Sequence, residues 1–148
     1  MDILDNTVNH LLKKYVGGQK FFTAMDKSVQ NPFILNELVS IIPENKVIIV
    51  SGHFGIYSET LLKNRKLLIL PGNIRHTPEF SLVNYSDFIK HKDFVFIDDS
   101  YCSGRTRNYI QREIEKYKGN FIHTYVVYDG SIYKDKGITS LFRYHERF

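Results

Sequence analysis

The chain has 148 residues, which is the length of one domain with a single core. Its 43% hydrophobic and 24% charged residues are typical of an ordinary soluble globular protein. No apolar run approaches the roughly 20 residues that span a bilayer, and one cysteine excludes an internal disulfide.

The chain starts Met-Asp-Ile-Leu-Asp, without the basic and apolar regions of a secretory signal, so we expect a cytoplasmic location. The net charge of +4 and the pI of about 9.1 suit a polyanionic ligand, either a pyrophosphate or a nucleic acid. Surface lysines alone would also explain them. The compact basic run Lys63–Lys66 is too short to indicate nucleic acid.

The amino-terminal part of the chain predicts two helices and then a strand. Residues 3–16 have apolar side chains at helical spacing, and Gly17-Gly18 would end that helix. Residues 32–42 predict a second helix, which begins after a capping Asn31. Val47–Val50 is an uninterrupted β-branched run, which is typical of a strand covered on both faces.

The next part predicts a loop, a short helix and another strand. Gly52–Gly55 forms the loop, and the short helix follows over Ile56–Lys63. Leu67–Leu70 is the second predicted strand. Residues 73–92 have an irregular pattern, and we expect Asn73–Pro78 to be an exposed loop.

The last part predicts strand, helix and strand. Phe94–Ile97 is the third strand, and Phe121–Tyr128 is the fourth. Between them lies a helix that Gly119 is expected to cap. The inner stripe of this helix is formed by Thr106, Ile110, Ile114 and Tyr117.

This alternation predicts a three-layer α/β fold with a central, mostly parallel sheet. Ligands of such sheets bind beyond the carboxyl ends of the strands. Asp98-Asp99 and Gly52–Gly55 both follow predicted strands, so we expect these two loops to converge on one edge.

The segment Phe94–Thr106 carries the clearest chemical signal. A buried strand is followed by Asp98-Asp99, and three residues later by a Ser-Gly-x-Thr loop and a helix. Backbone N–H groups at a helix start bind phosphate, and carboxylates accept hydrogen bonds from ribose hydroxyls. The alternative is a strand that merely ends in an Asp-Asp-Ser turn.

This segment resembles the phosphoribosyl-pyrophosphate (PRPP) motif of the type I phosphoribosyltransferases. The resemblance implies that Asp98 and Asp99, as the catalytic acids, bind the ribose hydroxyls. It also implies that the 5′-phosphate lies in the loop formed by Cys102, Ser103, Gly104, Arg105 and Thr106. Tyr101 and Cys102 depart from the family pattern, in which aliphatic or small residues are usual. Arg105 and Arg107 could instead be ordinary solvated helix residues, which is the favoured interpretation for Arg107.

The resemblance also implies a pyrophosphate loop after the first core strand. The residues in that place are Gly52, His53, Phe54 and Gly55. Arg75 is the candidate pyrophosphate contact from the connection that would close over the substrate, although an ordinary surface arginine is the alternative. A Gly-x-x-Gly is also frequent by chance.

Mg²⁺ is the implied cofactor, carried on the substrate with no direct protein ligand. The six histidines show no metal-ligand spacing. The base-selecting hood would come from Gly17–Ala24 or Ser131–Phe148. Tyr133, Phe142 and Tyr144 could stack on a base there, although the favoured interpretation is that they are packing aromatics.

We therefore expect residues 1–148 to form one domain with a core at about 46–129 and with the termini as a hood. The favoured function is an enzymatic one, the Mg²⁺-dependent transfer of phosphoribose between PRPP and a nitrogenous base, with pyrophosphate as leaving group. The alternative is a non-catalytic regulatory protein that binds PRPP or a nucleoside monophosphate. A membrane or nucleic-acid partner is not expected, and the resemblance permits a homodimer.

Overall fold

The computed structural model describes residues 32–50, 62–63, 65–70, 81–101, 104–129 and 137–143. The helices are α1 (Pro32–Ser40), a 3₁₀ helix (Val83–Tyr85), α2 (Ser86–Ile89) and α3 (Arg105–Lys116). The strands are β1 (Val47–Val50), β2 (Leu67–Ile69), β3 (Asp93–Tyr101), β4 (Asn120–Asp129) and β5 (Ile138–Arg143). The predicted helix over residues 3–16 lies outside the described residues, as does that over Ile56–Lys63 except for its last two positions.

The five strands form one sheet in the order β2-β1-β3-β4-β5, and every neighbouring pair is parallel. All four residues of β1 are buried, and so are Phe94–Ile97 of β3. Strands that are covered on both faces read as continuous apolar runs. The prediction of a central parallel sheet is therefore confirmed.

One face of the sheet packs against α3 and the chain before β3. Ile110 and Ile114 of α3 are fully buried there, as their place in the predicted stripe requires. The core on this face is formed by Val47, Ile49, Leu68, Leu70, Leu82, Ile89, Phe94, Phe96, Ile110 and Ile114. Phe88 packs edge-on against Phe94, with 6.2 Å between the ring centroids.

Two elements differ from the sequence expectation. Val83–Ile89 forms the 3₁₀ helix and α2, where an irregular chain was predicted, because buried Leu82 and Ile89 fix its two ends. Ser131–Phe148, the candidate hood, contributes β5, which pairs with β4 from Thr124–Ile138 to Asp129–Arg143. Single helical turns and half-exposed edge strands have too little apolar pattern to be recognised.

The end of α3 also differs from expectation, by one residue. Lys118 adopts the left-handed conformation, with φ 66°, and its N–H bonds to the Glu115 carbonyl at 3.1 Å. The Gly119 N–H bonds to the Ile114 carbonyl at 2.9 Å. This pair of bonds is the Schellman motif. The prediction that Gly119 takes the capping conformation is therefore wrong, and Lys118 takes it instead.

At the amino ends of three strands, Asp93 is held from both sides. Lys46 Nζ, just before β1, lies 3.0 Å from Asp93 Oδ2, and Asn120 Nδ2, the first residue of β4, donates to Asp93 Oδ1 at 3.0 Å. The hydrogen bonds from Lys46 and Asn120 lower the pKa of the Asp93 carboxyl. Among the described segments, no helix is both long and apolar enough to cross a membrane.

Candidate functional site

The candidate site begins where β3 extends beyond the last paired residue of β1. The pairing of β1 with β3 reaches Val50–Ile97, whereas the pairing of β3 with β4 continues from Asp98–Val126 to Tyr101–Asp129. Asp98 and Asp99 therefore lie in extended backbone at the carboxyl edge of the sheet. The alternative in which Asp98-Asp99-Ser100 forms a turn is wrong, because all three are strand residues.

Asp98 lies on the face of the sheet that α3 covers. Side chains alternate between the two faces along a strand, so Asp98 shares the face of Phe94 and Phe96, which belong to the core beneath α3. Those two rings are buried and Asp98 is half-buried. The strand therefore leaves the apolar core and delivers a carboxylate to its margin, on the same side as the helix that follows.

Gly104 makes the transition from β3 to α3. It is buried and left-handed, with φ 77° and ψ 7°, a conformation that glycine adopts without the strain a side chain would add. Its carbonyl accepts the Asn108 N–H at 2.8 Å, which is the first bond of the helix. As the N-cap it supplies no side-chain oxygen to the first turn.

The first turn of α3 is basic. It contains no acidic residue, Arg105 is exposed, and Thr106 and Arg107 are half-buried. Cations at a helix N-terminus oppose the macrodipole, whereas an anion there is favoured by both the dipole and the arginines. This end of α3 is thus suited to hold a negatively charged group.

Arg107 is held along the side of the helix. Its Nη1 donates to Gln111 Oε1 at 2.9 Å, and Gln111 Nε2 donates to Glu115 Oε1 at 3.0 Å. This row follows the four-residue spacing of one helix face. It agrees with the interpretation of Arg107 as an ordinary helix residue.

The predicted site residues divide into two groups. The structure brings Asp98, Asp99, Gly104, Arg105 and Thr106 to one edge, at the end of β3 and the start of α3. Other predicted site residues lie outside the described residues, namely Gly52, His53, Phe54, Gly55, Arg75, Cys102 and Ser103. The roles assigned to both groups stay predictions.

Asp129 is a carboxylate at this edge that the sequence reading passed over. It is the last residue of β4, is only 3% exposed, and lies in register with Tyr101 on one side and Arg143 on the other. In the sequence it directly follows the fourth predicted strand, Phe121–Tyr128. The available signal was the pattern of an apolar run followed directly by Asp, which it shares with Ile97-Asp98.

The carboxylates also decide how a metal would be held. Within the described ranges, no three His, Cys, Asp or Glu residues come together to bind an ion. Mg²⁺ is commonly bound by one or two carboxylates together with substrate phosphates. The half-buried Asp98 at the end of β3 is one such carboxylate, and its chemistry fits an ion that arrives with a phosphorylated ligand.

No protein-family model matches the chain, and no curated protein sequence matches it. Solved structures do match. Adenine phosphoribosyltransferase from Thermoanaerobacter pseudethanolicus is 12% identical, with 82% of this chain and 86% of that chain covered and a TM-score of 0.55. Purine phosphoribosyltransferase from Pyrococcus horikoshii is 15% identical, with 81% and 82% covered and a TM-score of 0.50.

UMP synthase from Leishmania donovani is 11% identical and gives a TM-score of 0.57, with 98% of this chain aligned to 37% of that longer one. At these identities the similarity is one of backbone architecture. These matches and the five-stranded parallel sheet lead to one conclusion. The chain has the fold of the type I phosphoribosyltransferases.

Proposed function

We propose that the protein transfers phosphoribose between PRPP and a nitrogenous base, with Mg²⁺ carried on the substrate. The observation that carries the proposal is the course of the chain from β3 into α3. Asp98-Asp99 stand in the part of β3 that extends past β1, and the buried, left-handed Gly104 then opens α3. This arrangement offers acceptors for hydroxyl groups and donors for a phosphate within one short segment.

In the proposed complex, the ribose hydroxyls and the 5′-phosphate of PRPP bind to different elements of the fold. The Asp98 and Asp99 carboxylates accept hydrogen bonds from the two ribose hydroxyls. The 5′-phosphate binds at the first turn of α3, where Arg105 adds positive charge and the helix dipole is favourable. One element is the end of β3 and the other is the helix that follows it, so the sugar is held at two points before it reacts.

In the reaction, the bond from ribose C1 to the pyrophosphate oxygen breaks and its electron pair leaves with the pyrophosphate. A bond from C1 to a base nitrogen forms, and any proton on that nitrogen passes to solvent. Positive charge develops on the ribose ring in a transition state of this kind. Carboxylates at its hydroxyls stabilise that charge electrostatically. Mg²⁺ bound to the pyrophosphate supplies charge neutralisation for the leaving group.

The structural neighbours support the same class of reaction. Two of them are named as an adenine and a purine phosphoribosyltransferase, and each is covered over most of its length. A basic chain with net charge +4 also attracts a ligand as anionic as PRPP. These points support a phosphorylated sugar as ligand and a nitrogenous base as its acceptor.

The test is calorimetric titration of the protein with PRPP and Mg²⁺, run beside ribose 5-phosphate and nucleoside monophosphates. We expect Mg²⁺-dependent PRPP binding that is lost in Asp98→Asn with Asp99→Asn. A matched control changes two exposed acids elsewhere, Glu44→Gln with Asp87→Asn, and should bind PRPP as the unmodified protein does. A screen of bases for pyrophosphate release then tests turnover.

The outcomes separate the alternatives. PRPP binding with base-dependent pyrophosphate release supports the transferase. Monophosphate binding without preference for PRPP, and with no pyrophosphate release, supports the regulatory alternative. Unchanged PRPP affinity in a folded Asp98→Asn, Asp99→Asn protein would contradict the assignment of the carboxylates.

A further inference from the structure

At the end of the sheet opposite the candidate site, two turns lie side by side. Lys90–Lys92 connects α2 to β3, and Tyr117–Gly119 connects α3 to β4. The His91 N–H bonds to the Lys118 carbonyl at 2.9 Å, and the Asn120 N–H bonds to the Lys92 carbonyl at 2.9 Å. These bonds hold the two turns together.

The two turns and the end of α3 bring four lysines and a histidine onto one surface, which we call the basic face. Its members are Lys90, His91, Lys92, Lys116 and Lys118. All are exposed except Lys92, which is half-buried. Neither turn alone contains enough basic residues to be noticed in the sequence, and the fold joins them.

The basic face also contains backbone strain. His91 and Lys118 have φ values of 64° and 66° and are the non-glycine residues with positive φ in the described part of the chain. Left-handed conformations cost energy for residues that carry a Cβ. Lys118 takes this conformation as the cap of α3, and its carbonyl accepts the His91 N–H, so the two left-handed residues hold the two turns in fixed positions.

Nearby acids balance only part of the lysine charge. Asp93, which follows Lys92, is already paired with Lys46 at 3.0 Å. Two exposed acids remain beside the face, Asp87 one turn before Lys90 and Glu115 at the end of α3. Four lysines outnumber these two acids, so the surface keeps a net positive charge that favours an anion.

Two of the lysines have a local explanation and two do not. Lys92 Nζ donates to the Phe88 carbonyl at 2.6 Å, and Lys116 lies in the last turn of α3, where a cation complements the dipole. Lys90 and Lys118 are exposed, and neither side chain forms a hydrogen bond or salt bridge with another described residue. Their charge is available to a partner.

The aromatic rings beside these lysines help to distinguish a lipid surface from a nucleic acid as the partner. Lys92 lies over the Phe88 ring at 4.6 Å and Lys116 over the Tyr117 ring at 5.5 Å. Both rings pack against the core, so they are not offered for insertion into a lipid surface. Phosphate contacts alone are sufficient to bind nucleic acid without sequence preference.

We propose that the basic face binds the phosphodiester backbone of a nucleic acid. Because it lies at the amino ends of β3 and β4, and Asp98-Asp99 lie toward the carboxyl ends, both sites can be occupied together. This function is additional to the proposed transferase activity and does not depend on it.

The experiment measures binding of a fluorescein-labelled, mixed-sequence 20-nucleotide RNA by fluorescence anisotropy between 50 and 200 mM salt. For single strands, log K falls with log salt by about 0.7 per phosphate contacted, so four lysines predict a slope of about −3. Lys90→Gln with Lys118→Asn should reduce the slope to about −1.5. Asn at position 118 tolerates the left-handed backbone, which protects the fold.

A control variant with the same loss of charge, Lys63→Gln with Lys66→Gln, changes exposed lysines beside β2 and should keep the slope of the unmodified protein. Saturating PRPP should leave RNA binding unchanged. The proposal would be overturned if both variants reduced the salt slope of RNA binding equally. It would also be overturned if PRPP competed with the RNA, or if the unmodified protein bound no RNA at 50 mM salt. Preferential binding to phosphatidylserine vesicles that is lost in the Lys90, Lys118 variant would overturn it in favour of a membrane.

Discussion

Glu113 Oε1 accepts a hydrogen bond from the backbone N–H of Leu82 at 3.1 Å. Leu82 is completely buried, and Glu113 is only 8% exposed. The bond joins the middle of α3 to the residue that precedes the 3₁₀ helix. A buried backbone donor requires an acceptor, so this carboxylate fixes where the chain enters the core ahead of β3.

Replacing Glu113 should show the cost of removing that acceptor. In Glu113→Ala the buried Leu82 N–H is left unsatisfied, and we expect the free energy of unfolding to fall by about 1–3 kcal/mol. Glu113→Gln retains an acceptor oxygen and should lose less. Urea unfolding measures both variants, and an equal loss in the two would show that the hydrogen bond is not the cause.

Gly119 is required for packing and not for its backbone conformation. A Cβ there would lie 2.7 Å from Ile89 Cγ2, 2.8 Å from Ile114 Cγ2 and 3.1 Å from the Ile89 carbonyl oxygen. We expect Gly119→Ala to destabilise the protein by about 1–3 kcal/mol, as overpacking does. Thermal unfolding tests this, with exposed Lys118→Ala as the neighbouring control. A Gly119→Ala protein as stable as that control would contradict the close approach.

Lys118 is the position where glycine should help. Its left-handed conformation costs a non-glycine residue about 1–2 kcal/mol, which glycine avoids. The greater flexibility of glycine in the unfolded chain offsets about 0.5–1 kcal/mol of this gain in stability. Lys118→Gly should therefore raise the free energy of unfolding by about 0.5–1 kcal/mol. Lys118→Ala removes the same charge but keeps the strain. A gain of the same size in Lys118→Ala would point to charge repulsion as the cause.

The Asp93 carboxyl predicts a pH dependence of stability. Its pKa is lowered from an ordinary 3.8 by hydrogen bonds from Lys46 and Asn120. A carboxyl whose pKa is lowered in the folded state adds stability that is present above the unfolded pKa and is lost as the pH falls through the folded pKa. The unmodified protein should therefore exceed Asp93→Asn in stability at pH 7, and the difference should shrink below pH 3.8.

Urea unfolding at several pH values measures this difference. Lys46→Met serves as a second variant, because it removes the largest cause of the lowered pKa while leaving Asp93 in place. The free energy of unfolding of this variant should therefore depend less on pH than that of the unmodified protein. A difference between Asp93→Asn and the unmodified protein that stays constant from pH 7 to pH 3 would contradict the assignment.

The central elements are readable from the sequence because burial on two faces leaves an uninterrupted pattern. Val47–Val50 and Phe94–Ile97 are apolar at every position, and both are buried throughout. The continuation of β3 through Asp98-Asp99 was not predicted, since carboxylates and serine resemble a turn. Pairing with β4 keeps these polar residues extended. Such pairing depends on a distant part of the chain and cannot be predicted from the local sequence.

Other features depend on contacts between distant parts of the chain. Gly119 resembles a helix cap from sequence, and only the approach of Ile89 reveals that packing requires it. The basic face joins two segments that are far apart in sequence, and Asp129 gains its place at the site edge from its neighbours Tyr101 and Arg143. Tertiary contacts of this kind produce no periodic pattern in the sequence.

The two ends of the sheet differ in how the chain connects its elements. At the amino ends, short turns lead from α2 into β3 and from α3 into β4, and Lys46, Asp93 and Asn120 fasten three strands together. The longer connections, residues 51–66 and 70–82, follow the carboxyl ends of β1 and β2. Insertions and deletions during evolution can therefore accumulate beside the candidate site while the opposite end preserves the register, so this edge of the sheet can diversify without a new fold.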